Sequence, residues 1–78
     1  MNILEAVTTI FREVFDDDDI TIAPAMTAND IDGWDSLTHV NLIMALEARF
    51  NIKFSQKELL SFKNVGDILS GIQSKIKN

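Results

Sequence analysis

Apolar residues recur at three- and four-residue spacings in the first part of the chain. Ile3, Leu4, Val7, Ile10, Phe11, Val14 and Phe15 fall on one side of a helix, predicted over about Asn2 to Phe15. Asp16 to Asp19 then set four carboxylates beside the negative end of that helix, so the run belongs in solvent beyond the last turn. Ile20 to Trp34 is a long connection, of a kind that in a small domain is functional or pinned by its own apolar residues; Ile20, Ile22, Met26 and Ile31 are the pins. Leu37 to Phe50 contains neither Gly nor Pro and predicts a second helix, with Asp35 or Ser36 as its N-cap. Asn51 to Phe54 follows as an extended connection that turns Ile52 and Phe54 into the core. Ser55-Gln56-Lys57-Glu58 has the form of a capping box and opens a short third helix carrying Leu59 and Leu60. Asn64 with Asp67 marks a fourth start, followed by the stripe Val65, Ile68, Leu69, Ile72 and Ile76, with Lys75 and Lys77 suited to the helix end. The expectation is an all-α fold: a four-helix bundle in one domain over residues 1–78, with a short third helix and a long loop between the first two.

The second helix carries more apolar residues than one core needs. At about 100° per residue, Leu42, Ile43, Leu46 and Phe50 share the side assigned to the core. Leu37, Val40 and Met44 form a separate stripe that begins one residue after Ser36. Either the long loop covers this stripe or it is an exposed strip for partner proteins, to which an adaptable Met is suited. Trp34, between Gly33 and Asp35, is expected to be partly buried under the helix start and to take part in recognition.

A chain of 78 residues buries only about 60% of the surface its unfolded form exposes. With no cysteine and no Cys/His cluster, packing alone must hold it, and no metal site is expected. The four consecutive aspartates lack the alternating ligand spacing and Gly turn of a calcium loop. A formal charge of −5 disfavours nucleic acid and anionic membrane and favours partners with basic patches. No leader pattern and no stretch long enough to span a bilayer is visible, so a soluble, cytoplasmic, monomeric chain is expected.

Ser36 is the residue around which chemistry is expected. At the positive end of a helix macrodipole, a phosphate on its hydroxyl gains about 0.3–1 kcal/mol. Asp35, Ser36 and His39 superficially resemble a hydrolase triad, yet nucleophile and base would project from one helix with no elbow and no oxyanion loop, and His39 has no orienting partner in the sequence. The run Asp35-Ser36-Leu37-Thr38-His39-Val40-Asn41-Leu42-Ile43-Met44-Ala45-Leu46-Glu47 resembles the second helix of acyl carrier proteins, and helix spacing extends the resemblance over nearly the whole chain.

The resemblance implies a non-catalytic carrier of acyl thioesters for fatty-acid, polyketide or related biosynthesis. Its Ser36 hydroxyl would receive 4′-phosphopantetheine from coenzyme A through a magnesium-dependent phosphopantetheinyl transferase. Asp30, Asp32, Trp34, Asp35, Leu37, Val40, Met44 and Glu47 are then the candidates for recognition by that transferase and by acyl-loading and acyl-processing enzymes with basic docking patches. The cargo is implied to shelter between the last three helices against Leu46, Ile52, Phe54, Leu59 and Ile68, a space that bulky Phe54 and Phe62 narrow. Two departures from the family pattern stand out. Thr38, Asn41, Ala48 and Arg49 occupy a region where the family is usually acidic, and Trp34 replaces a small residue, which looks more like a carrier of a specialised pathway. The alternatives are a peptidyl or aminoacyl carrier, a helical interaction module in which Ser36 is only a cap, and a phosphorylation switch at Ser36.

Overall fold

In the computed structural model, which describes residues 2–76, Asn2 caps the first helix rather than joining it: its side chain accepts from the Glu5 N–H at 3.1 Å, and α1 spans Ile3–Val14. Phe15 is likewise the C-cap and not the last turn. Asp16 follows in the left-handed region at φ 53°, and the Asp16 and Asp17 N–H groups return to the carbonyls of Glu13 and Arg12. This Schellman-type closure satisfies end carbonyls and sends the aspartate run into solvent, where all four residues are exposed.

The long connection is held from both sides. Arg12 Nε donates to the Ile20 carbonyl at 2.8 Å, while the carbonyls of Pro24 and Met26 accept from Gly66 and Val65 at 2.8 and 2.9 Å. Two otherwise orphaned N–H groups at the start of α4 (Val65–Ile76) are thereby satisfied by the loop. Of the four predicted pins, Ile22 and Ile31 are buried, and Ile20 and Met26 pack half-buried against the core. Within the loop lies a 3₁₀ turn, Ala28–Asp30, that periodicity did not predict; Thr27 and Asp30 cap it reciprocally. Gly66 makes the loop contact possible, because a Cβ there would sit 3.1 Å from the Pro24 carbonyl oxygen. Helix propensity alone favours Ala over Gly by about 0.8–1.0 kcal/mol. Gly66→Ala is nevertheless expected to lower Tm, since a backbone oxygen in a 2.8 Å hydrogen bond cannot step aside without losing it. A net loss of about 1 kcal/mol corresponds to about 4–8 °C in a thermal scan.

α2 spans Ser36–Phe50 and presents Leu42, Ile43, Leu46 and Phe50 to the interior, as its apolar spacing predicts. They meet Val7, Ile10 and Phe11 of α1 and Val65, Ile68 and Ile72 of α4 in one buried cluster, with α1 packed against both α2 and α4. Asn51 ends α2 in the left-handed region at φ 57°, which an Asn tolerates. The Glu47 carboxylate then receives the Phe54 N–H at 2.8 Å and holds the connection against the helix end. Phe54 is buried and Ile52 half-buried. The predicted capping box is present, with Ser55 and Glu58 bonded reciprocally at the start of α3 (Gln56–Ser61). Asn64 Oδ1 accepts from the Asp67 N–H at the start of α4. Lys75 reaches Glu58 at 3.1 Å across α4 and α3, a solvent-exposed pair of small energetic weight. Lys77, expected beside it, lies outside the described residues. Among the described residues there is no strand, and no helix is long and apolar enough to cross a membrane.

Candidate functional site

Gly33 sets the approach to the site. The Trp34 N–H returns to the Ile31 carbonyl at 3.3 Å, and the third residue of that turn requires a positive φ, which Gly33 adopts at 87°. The turn delivers Asp35 to the N-cap of α2. Its carboxylate accepts from both the Thr38 N–H and the Thr38 hydroxyl at 2.9 Å. Of the two residues the sequence offered for this cap, Asp35 takes it, and Ser36 becomes the first helical residue. The Ser36 side chain is exposed, and among the described residues no hydrogen bond engages its hydroxyl.

The hydrogen bond from the Thr38 backbone N–H, helped by the Thr38 hydroxyl, holds the Asp35 carboxyl below the usual carboxylate range. Stabilisation from a depressed acid is complete above the pKa of the unfolded chain and is lost as pH falls through the lowered folded value. Asp35→Asn keeps an acceptor but cannot titrate. Its melting temperature is therefore expected to fall less than the wild-type value as pH drops below the ordinary carboxylate range, measured in parallel thermal scans. Glu58 is lowered in the same sense, first by the Ser55 N–H and then by Lys75.

Beside Ser36 opens a groove of about 370 Å³. Val40 and the aromatic pair Trp34 and His39 line it on one side, and Leu59, Leu60, Phe62 and Lys63 on the other. Trp34 is half-buried as expected, its indole edge-on to Phe11 at 5.4 Å and to Phe15 at 6.2 Å. No orienting partner for His39 is visible in the sequence, but the fold supplies two: Trp34 Nε1–H donates to Nδ1 at 3.1 Å, and Nε2 lies 3.0 Å from the Leu59 carbonyl oxygen. Both bonds are satisfied only by a neutral ring carrying its proton on Nε2. Each nitrogen is thus occupied in joining α2 to its neighbours, and neither is directed at Ser36 as a general base.

The candidate recognition residues divide by what they already do. Leu37, Met44 and Val40 are 72%, 60% and 42% exposed, so the long loop does not cover this stripe. Asp32 is exposed, Asp30 is exposed while capping the 3₁₀ turn, and Asp35 caps α2. Glu47 is half-buried on the Phe54 N–H. Of the five residues expected to shelter cargo, only Leu59 lines the groove beside Ser36. Leu46 and Ile68 are fully buried, Phe54 is buried, and Ile52 lines a separate surface depression with Met44 and Glu47. Among the described residues no cluster of acidic, His or Cys side chains could hold a metal ion.

Comparison with known proteins bears on this geometry. Residues 5–72 match the family model described as "Phosphopantetheine attachment site". An acyl carrier protein of Thermosynechococcus vestitus is 37% identical over 75 residues, covering 95% of this chain and 91% of the relative. One from Helicobacter pylori is 35% identical over 74 residues, 94% of each chain. Among solved structures, the solution structure of holo acyl carrier protein from Geobacter metallireducens superposes with a TM-score of 0.90 at 51% identity, covering 97% of this chain and 87% of that one. A putative acyl carrier protein from Mycobacterium tuberculosis gives 0.85 at 27% identity, covering 94% and 97%.

Proposed function

This chain belongs to the acyl carrier protein family, non-catalytic carriers whose cofactor is 4′-phosphopantetheine, and on that premise we propose that Ser36 is the residue to which the cofactor is joined. The observation that carries the assignment is the division of labour at the start of α2. Asp35 performs the capping, so the Ser36 hydroxyl stands exposed at the helix tip, free for a phosphodiester. The positive end of the helix favours the phosphate at this position. When bound, the cofactor supplies a thiol that holds an acyl group as a thioester. Anchoring at a single point gives that thiol a high effective concentration at each docked enzyme.

The carrier serves fatty-acid, polyketide or related synthesis in the cytoplasm as a monomer. Its partners are a phosphopantetheinyl transferase and acyl-loading and acyl-processing enzymes. They meet Leu37, Val40 and Met44 with apolar surface and approach Asp30, Asp32 and Asp35 with basic groups, Trp34 and Glu47 flanking the contact. The exposed apolar strip supports this reading because it begins at the attachment residue and is left open by the loop. Incubation with coenzyme A, magnesium and a broad-specificity phosphopantetheinyl transferase is expected to add one phosphopantetheinyl group by intact mass, and fragment masses place it on Ser36. No addition to the folded chain overturns the proposal in favour of an interaction module, and addition elsewhere overturns the assignment of Ser36.

A further inference from the structure

The exposed face of α2 changes character from one end to the other. Leu37, Val40, Asn41, Met44 and Ala48 are exposed and fall, at about 100° per residue, on one side of the helix. No carboxylate interrupts that strip, because the one acid of α2, Glu47, is half-buried and holds the Phe54 N–H at 2.8 Å. Carboxylates gather instead at the Ser36 end, where Asp32 is exposed and Asp30 and Asp35 accept backbone hydrogen bonds as caps. At the opposite end the sign reverses. Met44, Ala48 and Ile52 line a surface depression with Glu47 and exposed Lys53, and exposed Arg49 stands in the last turn of the same helix. Among the described residues the one ion pair joins Lys75 to Glu58, so neither Lys53 nor Arg49 is paired with a carboxylate. The Arg49 guanidinium rests over the neighbouring Phe50 ring, 5.5 Å from its centroid.

From this layout we infer that the enzyme docking along α2 carries basic groups at its active-site mouth, apolar surface behind them and an acidic group at the far end, placed to meet Lys53 and Arg49. The inference rests on the carrier reading of Ser36, and what it adds is the far pole. Asp35 and Arg49 are fourteen residues apart, about 21 Å along the helix. That is more than two Debye lengths of about 8 Å at physiological salt, so each pole answers to the partner charge opposite it with little influence from the other. An enzyme basic along its whole docking patch gains at Asp30, Asp32 and Asp35 and loses at Lys53 and Arg49, where like charges meet. One with the complementary layout gains at both ends, and in a single orientation, because turning it end for end sets like against like twice. The strip therefore selects its enzymes and sets their direction, which non-directional apolar contact alone does not. A second copy of this chain, laid antiparallel, has matching poles as well. It would cover Ser36 and deny it to the phosphopantetheinyl transferase, so the occupant is an enzyme.

The test uses the full chain bearing phosphopantetheine, with intact mass certifying one adduct, and two probe enzymes that transfer a malonyl group from malonyl-coenzyme A to its thiol. One is an acyl transferase chosen for a docking patch that is basic throughout. The other is the same enzyme with the basic residues farthest from its active-site mouth changed to Glu, and the two are first matched on free pantetheine, which has no docking surface. Wild-type chain is expected to show a KM about tenfold lower with the second enzyme, from two exposed charge pairs, at nearly equal kcat. Arg49→Glu combined with Lys53→Glu is expected to invert that preference. Equal KM values, transfer by neither enzyme, or a lower KM with the uniformly basic enzyme overturns the inference. So does a preference that persists at about 1 M salt, where the Debye length is about 3 Å. Should the double Glu variant fail to fold by circular dichroism, Arg49→Gln with Lys53→Gln decides: it removes both cations, and a preference kept without them overturns the far pole. A wild-type chain that sediments as a dimer with Ser36 protected from the phosphopantetheinyl transferase gives the strip to a second copy and overturns the inference as well. Absence of any adduct on unprotected wild-type monomer removes the carrier reading itself, an outcome visible in the mass before any KM is measured.

Discussion

Ser36→Ala is expected to acquire no phosphopantetheinyl group under conditions that convert every wild-type molecule, while keeping its helical content and melting within about 2–4 °C of wild type. The two halves of this expectation come from one geometric fact. The side chain that satisfies the start of α2 belongs to Asp35, so deleting the Ser36 hydroxyl removes a reactive atom and no structural bond. Ala is also the better helix former at the first helical position. Exposed substitutions away from caps and cores stay within about 0.5 kcal/mol, which sets the narrow temperature window for a domain of this size. Ser55→Ala should behave in the opposite way, since Ser55 caps α3 and carries no adduct: it loosens the fold and still loads. A Ser36→Ala chain that gained the same mass would move the attachment to another hydroxyl. One that unfolded would mean the residue had been a structural cap all along.

The helices were legible because their information is local. Leu42, Ile43, Leu46 and Phe50 repeat with the helical period and are all buried; Ser55 and Glu58 bond each other as their spacing implies. What escaped depends on contacts that no period encodes. Trp34 precedes the cap, so a helical projection says nothing about its reach to His39, and the Leu59 carbonyl arrives from a different helix. Glu47 looked like a free surface charge, but the left-handed turn at Asn51 brings the Phe54 N–H back onto its carboxylate. The loop's hold on α4 runs through backbone carbonyls at Pro24 and Met26, which carry no side-chain signal. The 3₁₀ turn did have one, since Thr27 and Asp30 stand at capping-box spacing, although a turn of only three residues has no apolar period to support it. At the site, Ser36 was singled out through the resemblance carried by the run from Asp35 to Glu47, while the state of the seam between α2 and α3 beside it required the fold.

Phe11→Ala is expected to leave the chain largely unfolded at 25 °C. The ring is fully buried, stacks on Phe15 at 5.7 Å and receives the Trp34 indole edge-on at 5.4 Å, so it joins the helix core to the turn that delivers Asp35 and Ser36. Truncating a buried Phe costs about 3–5 kcal/mol, through lost transfer energy and the cavity left behind. A single core of this size rarely supplies more than about 3–5 kcal/mol in total, so one substitution removes most or all of the margin. Leu60→Ala, at a residue 73% exposed, removes a comparable apolar volume without a cavity and should change stability by less than about 0.5 kcal/mol. Far-UV circular dichroism and Trp34 fluorescence across a denaturant series separate the two, and a Phe11→Ala midpoint equal to wild type would show that the cluster around Trp34 contributes little. If the loss is as large as expected, the helix tip carrying Ser36 owes its geometry to a ring twenty-five residues earlier in the chain. Loading of Phe11→Ala should then fall in proportion to the folded fraction, even though that ring is fully buried and takes no part in the groove beside Ser36.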